Sequence, residues 1–419
     1  MKMQVSPGLL RGSISAIPSK SDVHRQLICA ALANSPTRIR LGATSEDIEA
    51  TANCLRALGA QITVEPSALV VQPIWDAPQS APVLDCGESG STLRFLLPVA
   101  AALGCGAALT GWGRLPQRPN NALTDQLAQY GCTAKGEGLP LTLEGKLHSG
   151  RFILPGDVSS QFVTGLLFAL PLLEGNSEII LTSPLQSAGY VDMTLDTLRQ
   201  FGIAVETLPE GYLIPGGQRY ASPGESKADG DWSNAAFWLA AGALGGDVTC
   251  TGLSPSSRQG DQAVVELLRR FGARVTQTED SVRVAGGILH PAEIDAGAFP
   301  DLIPILSVVA AYACGDTVIF NAARLRIKES DRLTAIHDLL TALGGRVTER
   351  PDGLIIHGTG SLTGGQTDSF GDHRMAMSAA IAASACGGNV TILGAEAVRK
   401  SYPGFFEDYQ ALGGLCRGF

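Results

Sequence analysis

Six dipeptides of a bulky hydrophobic residue followed by glycine divide the chain into copies of about 70 residues. Each one ends a helix-like segment, where a glycine suits the left-handed residue between a helix and the next strand. They are Leu58-Gly59, Tyr130-Gly131, Phe201-Gly202, Phe271-Gly272, Leu343-Gly344 and Leu412-Gly413. The sixth copy stops almost at once at Phe419, so we expect the segment Met1–Leu9 to supply its last strand.

Between these glycines, a second series of polar residues opens segments that are apolar on nearly every face. The starts are Ser21, Ser91, Ser160, Ser233, Asp301 and His373. A helix that is apolar all round is buried, whereas the helices before the glycines mix charged and hydrophobic residues and suit a surface. Pro98, Pro171 and Pro304 are expected to kink or shorten the buried helices. The pattern predicts an α/β protein whose repeats each contain strand, buried helix, strand, amphipathic helix and further strands.

The polar, glycine-containing segment 221–230 separates the repeats into two groups of three and is the predicted crossover between two domains. We expect the first domain to span residues 14–226. The second would combine residues 1–13 with residues 227–419. A chain of 419 residues is long enough for two domains with large cores.

The composition limits the cellular setting. A net charge of −9 argues against a general nucleic-acid surface. Nine scattered cysteines without a CxxC pair indicate reduced thiols rather than disulfides or a zinc site. The first residues form no signal peptide, and no uninterrupted apolar run reaches membrane length. We therefore expect a cytoplasmic protein with no nucleic-acid or membrane partner.

The starts of the buried helices carry the predicted chemistry. Helix N-termini offer free N–H groups and partial positive charge, so six of them meeting at one mouth would attract anions. Gly90 would allow close backbone approach, and Ser159, Ser160 and Gln161 can bind oxygen atoms of a phosphate or a sugar. Helix capping is the alternative for each start taken alone. Seven cations suit more than one phosphate or carboxylate group: Lys20, Arg25, Arg118, Lys328, Arg332, Arg374 and Lys400.

Two carboxylates stand among these cations. Asp301 could cap the helix it opens, or it could stay ionised among cations and serve as a base. Glu329 lies between Lys328 and Arg332, whose spacing predicts one helical face; an exposed ion-pair ladder is the alternative. The chain has no Walker A sequence, no convincing GxGxxG after a strand, no HExxH and no Asp/His cluster. The prediction is a metal-free reaction between two anionic small molecules, with Asp301 and Glu329 transferring protons.

Nine motifs follow one another along the chain. They are Lys20-Ser21-Asp22-Val23-His24-Arg25, Gly90-Ser91-Thr92-Leu93-Arg94, Arg118-Pro119, Ser159-Ser160-Gln161, Ser187 to Tyr190, Pro300-Asp301, Lys328-Glu329-Ser330-Asp331-Arg332, Asp372-His373-Arg374-Met375-Ala376-Met377, and Arg399-Lys400 with Tyr402-Pro403. Together they resemble the 5-enolpyruvylshikimate-3-phosphate synthase family, the 3-phosphoshikimate 1-carboxyvinyltransferases of aromatic amino-acid and chorismate biosynthesis. The resemblance implies an inside-out α/β barrel of two similar domains, each of three βαβαββ units, with the active site between them.

The resemblance also implies two substrates and no cofactor. Shikimate 3-phosphate would be bound by Lys20, Ser21, Arg25, Ser159, Ser160, Gln161, Ser187, Asp301 and Lys328. Phosphoenolpyruvate would be bound by Lys20, Gly90, Arg118, Gln161, Arg332, Arg374 and Lys400. Asp301 would accept the proton of the 5-hydroxyl group as it attacks C2 of the enol, and Glu329 would protonate the methylene carbon. Lys20 completes the implied catalytic set, where the two substrates adjoin.

One position departs from a common form of the family. Arg324 stands where Asn often precedes the lysine of the K-E-(S/T)-D-R motif by four residues, so the group that contacts shikimate 3-phosphate there is left open. The related UDP-N-acetylglucosamine enolpyruvyl transferases are an alternative, although those have Lys-Asn at the first helix and a cysteine-bearing loop before their Arg-Pro. This chain has Lys20-Ser21 and a loop 111–117 without cysteine. A non-catalytic anion-binding protein is a second alternative. We expect a monomeric enzyme.

Overall fold

A computed structural model describes residues 1–76, 78 and 80–419. The chain forms two compact units. The first, here called the inserted unit, is Lys20–Ala228. The second, the terminal unit, combines Met1–Ser19 with Asp229–Phe419.

The described residues contain twelve α-helices, six in each unit. Their bounds are α1 Lys20–Ala31, α2 Glu46–Ala57, α3 Gly90–Leu103, α4 Asn121–Gln129, α5 Ser160–Ala169, α6 Ala188–Gln200, α7 Trp232–Ala243, α8 Val264–Arg270, α9 Ile303–Tyr312, α10 Arg332–Ala342, α11 His373–Ala385 and α12 Phe405–Ala411. The odd-numbered helices are the predicted buried series, and nearly every residue of α7, α9 and α11 is buried. The even-numbered helices bury one face. Each is followed within two residues by one of the six repeat glycines, whose φ angles lie between +75° and +110° as a helix-ending residue requires.

Twenty-four strands complete the repeats within the described residues. They are β1 Lys2–Ser6, β2 Arg11–Ser15, β3 Thr37–Arg40, β4 Gln61–Glu65, β5 Ala68–Gln72, β6 Val83–Asp85, β7 Ala107–Thr110, β8 Cys132–Lys135, β9 Leu141–Gly145, β10 Arg151–Leu154, β11 Ser177–Leu181, β12 Glu206–Leu208, β13 Gly211–Ile214, β14 Glu225–Lys227, β15 Asp247–Thr251, β16 Arg274–Gln277, β17 Ser281–Ala285, β18 Glu293–Asp295, β19 Cys314–Phe320, β20 Val347–Arg350, β21 Gly353–Thr359, β22 Gly365–Asp368, β23 Val390–Leu393 and β24 Leu415–Gly418.

The strands form six four-stranded sheets, three in each unit, and each sheet combines one parallel pair with antiparallel neighbours. The inserted unit contains sheets β14-β3-β5-β4, β6-β7-β9-β8 and β10-β11-β13-β12. The terminal unit contains β16-β17-β15-β2, β18-β19-β21-β20 and β22-β23-β1-β24. Strand β1 pairs with both β23 and β24, so the N-terminal segment completes the sixth repeat as predicted. The predicted α/β class and its βαβαββ repeats are confirmed.

The boundaries between the units differ from the predicted ones because strand pairing decides them. Strand β2 pairs in parallel with β15, which places residues 14–19 in the terminal unit rather than in the first domain. Strand β14 pairs in parallel with β3, which keeps residues 227 and 228 in the inserted unit. A boundary at 13/14 would have cut through β2.

Each unit has its own apolar core, formed by the buried helices and the inner faces of the sheets.

The three prolines of the buried helices, Pro98, Pro171 and Pro304, act differently from one another. Of the two predicted effects, a kink or a shortening, Pro98 does not cause the shortening, because α3 continues past it to Leu103. Pro171 lies in a 3-10 turn that ends α5, and Pro304 lies in the first turn of α9, where its missing N–H costs no hydrogen bond.

Among the helices of the described ranges, none combines the length and the apolar character needed to cross a membrane.

Candidate active site

Side-chain caps satisfy backbone N–H groups at several of the helix starts. The side chains of Ser89, Ser159, Asp231 and Asp372 each accept a hydrogen bond from a backbone N–H of the helix that follows. Capping, the alternative considered from the sequence, is therefore one role of Ser159. Asp301 is different: Leu302 occupies the cap position of α9, so the carboxylate of Asp301 is not used as an N-cap.

Lys20 and Arg25 lie about one and a half helical turns apart at the start of α1. The ammonium group of Lys20 donates to Asp47 Oδ2 of α2 at 2.6 Å. The guanidinium of Arg25 donates to the carbonyl oxygens of Ser21 and Tyr190, both at 2.6 Å, and to Thr194 Oγ1 at 2.9 Å. Burial lowers the pKa of Arg25 to about 10, and the opposing charge of Asp22 does not offset it.

Gly90 and Arg118 are in close contact. A methyl group built on Gly90 would lie 2.6 Å from Nη1 and 2.9 Å from Cζ of Arg118. The guanidinium therefore packs directly over the first residue of α3, and only glycine leaves it that space. The structure thus brings together two residues that the resemblance assigned to phosphoenolpyruvate.

Gln161 is held by Arg94, a residue that the sequence reasoning did not place among the site residues. Arg94 donates to Gln161 Oε1 at 2.8 Å, to Asn120 Oδ1 at 3.0 Å and to the carbonyl oxygen of Pro119 at 3.0 Å. The amide of Gln161 in turn donates to Ser91 Oγ at 3.0 Å. The available signal was the spacing, since Arg94 follows Gly90 by one helical turn. Arg94 therefore joins the starts of α3, α4 and α5.

Ser187 has a left-handed backbone with φ of +56° and is buried just before α6. This conformation is uncommon for a residue with a side chain. Its carbonyl accepts from the N–H of Tyr190, whose own carbonyl accepts from Arg25. The tight turn thus positions one partner of Arg25. We use "the Lys20 site" for the set Lys20, Ser21, Arg25, Asp47, Gly90, Arg94, Arg118, Ser159, Ser160, Gln161 and Ser187.

In the terminal unit, Arg332 joins three carboxylates. Its Nη1 donates to Asp301 Oδ1 at 2.7 Å, its Nη2 to Glu329 Oε2 at 3.0 Å and its Nε to Asp372 Oδ2 at 2.8 Å. Burial by itself would lower the pKa of Arg332, but Asp372, Glu329 and Asp301 raise it above its usual value. Arg332 is therefore a permanent cation that fixes the two predicted proton-transfer groups beside each other.

Asp301 has two further cationic neighbours. Its Oδ2 lies 3.2 Å from Nη2 of Arg374, and its Oδ1 lies 3.7 Å from Nζ of Lys328. Burial opposes ionisation of Asp301, yet Arg374, Lys328 and Arg332 together hold its pKa well below the usual range. Burial, opposed by Asp301 and assisted by Arg324 and Arg332, lowers the pKa of Lys328 to about 8.

The local structure around Lys328 differs from the prediction. Helix α10 begins only at Arg332, and Lys328 lies in the preceding non-helical turn, after the 3-10 turn Ala323–Ile327. The two cations are therefore not on one helical face. They still converge on Asp301, because the turn folds the chain back toward it. The exposed-ladder alternative is wrong as well, since Arg332 is buried.

Asp372 and Lys400 complete this group. Besides Arg332, the carboxylate of Asp372 accepts from Ser330 Oγ at 3.1 Å and from the N–H of Arg374 at 2.9 Å. The ammonium of Lys400 donates to the carbonyl oxygen of Gly371, directly before Asp372. Asp372 was missed as a site residue, although its position before His373-Arg374 was a signal. We use "the Asp301 site" for the set Asp301, Lys328, Glu329, Arg332, Asp372, Arg374 and Lys400.

A further buried carboxylate, Asp261, accepts a hydrogen bond from the hydroxyl of Ser233. Burial and then the charge of Asp301 raise the pKa of Asp261 to about 6. Among the residues that the structure describes, no three His, Cys, Asp or Glu side chains are grouped as metal ligands.

A family model for EPSP synthase, 3-phosphoshikimate 1-carboxyvinyltransferase, matches residues 5–409. The chain belongs to the EPSP synthase family. The 3-phosphoshikimate 1-carboxyvinyltransferase of Clostridium kluyveri is 45% identical over 415 residues, covering 98% of this chain and 97% of that protein. The enzyme of the same name from Clostridium perfringens strain ATCC 13124 is 44% identical over 100% of this chain and 99% of that protein. A solved EPSP synthase from Acinetobacter baumannii superposes with a TM-score of 0.83 at 28% identity, covering 100% of both chains.

EPSP synthase family membership confirms the resemblance, the two-domain inside-out α/β fold and the enzyme class. The protein transfers the enolpyruvyl group of phosphoenolpyruvate to shikimate 3-phosphate in the shikimate pathway. Neither of the two alternative functions, transfer to a sugar nucleotide or anion binding without catalysis, agrees with this membership. Arg324, the position that departs from a common form of the EPSP synthase family, acts on the ammonium of Lys328 electrostatically.

Proposed function

We propose that the Lys20 site and the Asp301 site bind the two substrates and that Asp301 and Glu329 transfer the protons of the reaction. The observation that most supports this proposal is the position of Arg332, which donates to Asp301 at 2.7 Å and to Glu329 at 3.0 Å. One guanidinium thus holds Asp301, an ionised base, and Glu329, a second carboxyl group, as neighbours, an arrangement suited to proton transfer at two adjoining substrate atoms.

The assignment of residues to substrates follows the family resemblance. Shikimate 3-phosphate is bound by Lys20, Ser21, Arg25, Ser159, Ser160, Gln161, Ser187, Asp301 and Lys328. Phosphoenolpyruvate is bound by Lys20, Gly90, Arg118, Gln161, Arg332, Arg374 and Lys400. What supports the assignment is chemistry: guanidinium and ammonium groups for phosphate and carboxylate, hydroxyl and amide groups for a hydroxylated ring.

The reaction is an addition followed by an elimination. Asp301 accepts the proton of the 5-hydroxyl, whose oxygen forms a bond to C2 of phosphoenolpyruvate while Glu329 gives a proton to the methylene carbon. In the resulting tetrahedral adduct, C2 carries both the new ether oxygen and the phosphate. Glu329, which enters the reaction protonated and leaves the addition as a carboxylate, then takes a proton back from the methyl group. This restores the double bond as the C2–O bond to phosphate breaks and phosphate leaves. Lys20 stabilises the charge on the reacting phosphate.

The cations around Asp301 affect how good a base it is. In the protein alone, Arg374, Lys328 and Arg332 lower its pKa and thus its basicity. Substrate phosphate and carboxylate groups would offset the charge of Lys328 and Arg374. Asp301 would therefore become more basic only when both substrates are bound, which couples proton removal to a filled site.

Phosphate release tests this proposal. The protein is assayed with phosphoenolpyruvate and either shikimate 3-phosphate or UDP-N-acetylglucosamine, in the presence of EDTA. We expect phosphate only with shikimate 3-phosphate and no loss of rate with EDTA. Glu329→Gln should lower kcat by about a thousandfold, since it removes a proton-transfer group.

Glu349→Gln is the matched control, because Glu349 also pairs with an arginine of the terminal unit, Arg326, at 2.8 Å. It should retain kcat within about twofold, since an ion pair that is partly open to solvent contributes little and Glu349 is not among the proposed site residues. Strict metal dependence, or equal kcat for Glu329→Gln and Glu349→Gln, would contradict the proposed mechanism.

We also propose a cytoplasmic monomer without a cofactor and without a nucleic-acid or membrane partner. The nine cysteines, all of which are unpaired as thiols, support a reducing compartment. The net charge of −9 supports the absence of nucleic acid. Light scattering should give the mass of one chain, 43.6 kDa, whereas twice that mass would contradict the monomer.

A further inference from the structure

A chain of buried hydrogen bonds runs from α1 to the start of α3 in the inserted unit. His24 Nδ1 lies 2.7 Å from Thr51 Oγ1, and Thr51 Oγ1 lies 2.6 Å from Thr92 Oγ1. The hydroxyl of Thr92 donates to Ser89 Oγ at 2.8 Å, and Ser89 also accepts from the N–H of Thr92 at 3.2 Å. All four side chains are buried. The chain therefore connects helices α1, α2 and α3 away from solvent.

The direction of this chain determines the tautomer of His24. A threonine hydroxyl has one hydrogen, and that of Thr92 is directed to Ser89. The bond between the two threonines must then be donated by Thr51, which leaves Thr51 without a hydrogen for the imidazole. His24 must therefore donate from Nδ1, and Nε2 is the unprotonated nitrogen. Nε2 is buried and has no hydrogen-bond partner within residues 1–76, 78 and 80–419.

The imidazole is also held in its neutral form. Burial, then the charges of Lys20 and Arg25, keep the pKa of His24 well below its usual value. A protonated ring would need an acceptor for Nε2, and the structure supplies none among the residues it describes. Neutral His24 with its proton on Nδ1 satisfies the whole chain, since an unused acceptor costs less than a buried, unpaired donor of a charged ring.

Both ends of this hydrogen-bond chain lie next to residues of the Lys20 site. His24 follows Lys20 by one turn of α1, and Ser89 precedes Gly90, over which Arg118 packs. Thr92 Oγ1 also lies 3.5 Å from the carbonyl oxygen of Asp47, the partner of Lys20. The chain thus ties the turn that carries Lys20 to the turn that carries Gly90.

We propose that His24 is a positioning residue for phosphoenolpyruvate: its imidazole, protonated on Nδ1, sets the spacing between Lys20 and the Gly90–Arg118 contact. This inference rests on the proposed assignment of Lys20, Gly90 and Arg118 to phosphoenolpyruvate. His24 itself need not touch the substrate. Lys20 is assigned to both substrates, whereas Gly90 and Arg118 are assigned to phosphoenolpyruvate alone. The effect of His24 is therefore expected to be larger in the KM for phosphoenolpyruvate than in the KM for shikimate 3-phosphate.

Two amide substitutions distinguish the roles of the two ring nitrogens of His24. In His24→Asn the amide nitrogen can take the place of Nδ1 and donate to Thr51, whereas in His24→Gln the amide lies near the place of Nε2 and misses Thr51. We expect His24→Asn to keep the KM for phosphoenolpyruvate within about threefold, and His24→Gln to raise it about tenfold, the effect of one lost buried hydrogen bond. Thr51→Val, which breaks the chain at its second link, should raise the same KM by a similar factor. The double variant should add little, because both changes interrupt one chain.

An NMR measurement on the unaltered protein needs neither activity nor a variant. With 15N-labelled histidine, His24 should show a proton on Nδ1 and an unprotonated Nε2 at neutral pH. A proton on Nε2 would overturn the inference, as would equal KM values in His24→Asn and His24→Gln, or equal increases of KM for both substrates. Failure of the proposed function would appear differently, as absence of phosphate release by the unaltered protein.

Discussion

Arg25 in the Lys20 site donates to two carbonyl oxygens and a hydroxyl, whereas Arg332 in the Asp301 site donates to three carboxylates. Both guanidinium groups are buried, yet their pKa values move in opposite directions. Burial lowers that of Arg25 to about 10, and the carboxylates raise that of Arg332 in spite of burial. The same side chain thus has two electrostatic roles in two sites.

The difference extends to the rest of each site. The Lys20 site contains four cations, Lys20, Arg25, Arg94 and Arg118, and one carboxylate, Asp47. The Asp301 site contains four cations, Lys328, Arg332, Arg374 and Lys400, and three carboxylates, Asp301, Glu329 and Asp372. A large excess of cations suits the binding of anions, whereas a nearly balanced network can hold Asp301 ionised as a base. This difference in charge supports anion binding as the role of the Lys20 site and proton transfer as a role of the Asp301 site.

Replacing each of the two arginines by Met is the strongest test of this comparison. Arg332→Met leaves three carboxylates without their common cation, and the free energy of unfolding should fall by about 3–5 kcal/mol, as for other broken buried ion pairs. Arg25→Met leaves only neutral acceptors unpaired and should cost about 1–3 kcal/mol. Urea titrations of both variants measure the two values. Equal losses would show that the partners of these arginines do not differ in the way described.

Adding one methyl group at Gly90 tests whether the Lys20 site depends on close packing. In Gly90→Ala the new Cβ would lie 2.6 Å from Nη1 of Arg118, so the guanidinium must move. The helix itself tolerates alanine well. We expect the KM for phosphoenolpyruvate to rise about 10- to 100-fold, the scale of an ångström-sized displacement of a binding group.

Steady-state kinetics with each substrate varied in turn measures this change, and the KM for shikimate 3-phosphate should stay nearly constant. Gly404→Ala is the matched control, since Gly404 also lies at a helix start, directly before α12, and an added methyl there meets nothing within 4 Å. A rise of KM in both variants, or in neither, would contradict the role given to the Gly90–Arg118 contact.

The smallest expected effect is a pH dependence of kcat/KM that comes from Lys328. Its pKa is lowered to about 8 in the folded protein from 10.5, so it loses its charge as the pH rises through about 8. We expect kcat/KM for shikimate 3-phosphate to fall about tenfold per pH unit above that value. Lys328→Arg keeps its charge in this range, so its profile should stay flat.

Stability should respond in the opposite direction. Between pH 8 and 10.5 the unfolded chain binds more protons at Lys328 than the folded one, so the contribution of this residue to the stability of the folded protein increases with pH. Activity lost above pH 8 would therefore not come from unfolding at this site. An unaltered protein whose kcat/KM stays constant up to pH 9.5 would contradict the prediction.

The sequence alone determined the repeat, because its signals are local. The glycine after each amphipathic helix needs a positive φ, and apolar residues on every face need burial, whatever the rest of the chain does. These two patterns predicted the six buried helices, the six surface helices and the strand that Met1–Leu9 donates. The family motifs then indicated the binding groups, because each motif lies at a helix start or the turn before one.

Only the tertiary structure decided which groups meet. Asp301 and Arg332 are 31 residues apart, and Arg332 and Asp372 are 40 apart, so no local pattern indicates that one guanidinium joins them. Lys328 reaches Asp301 from a turn and not from the predicted helical face, because α10 starts four residues later. The tautomer of His24 likewise depends on Thr51 and Thr92 from two other helices. Local periodicity specifies where helices and strands form, whereas the pairing of buried polar groups depends on how those elements pack.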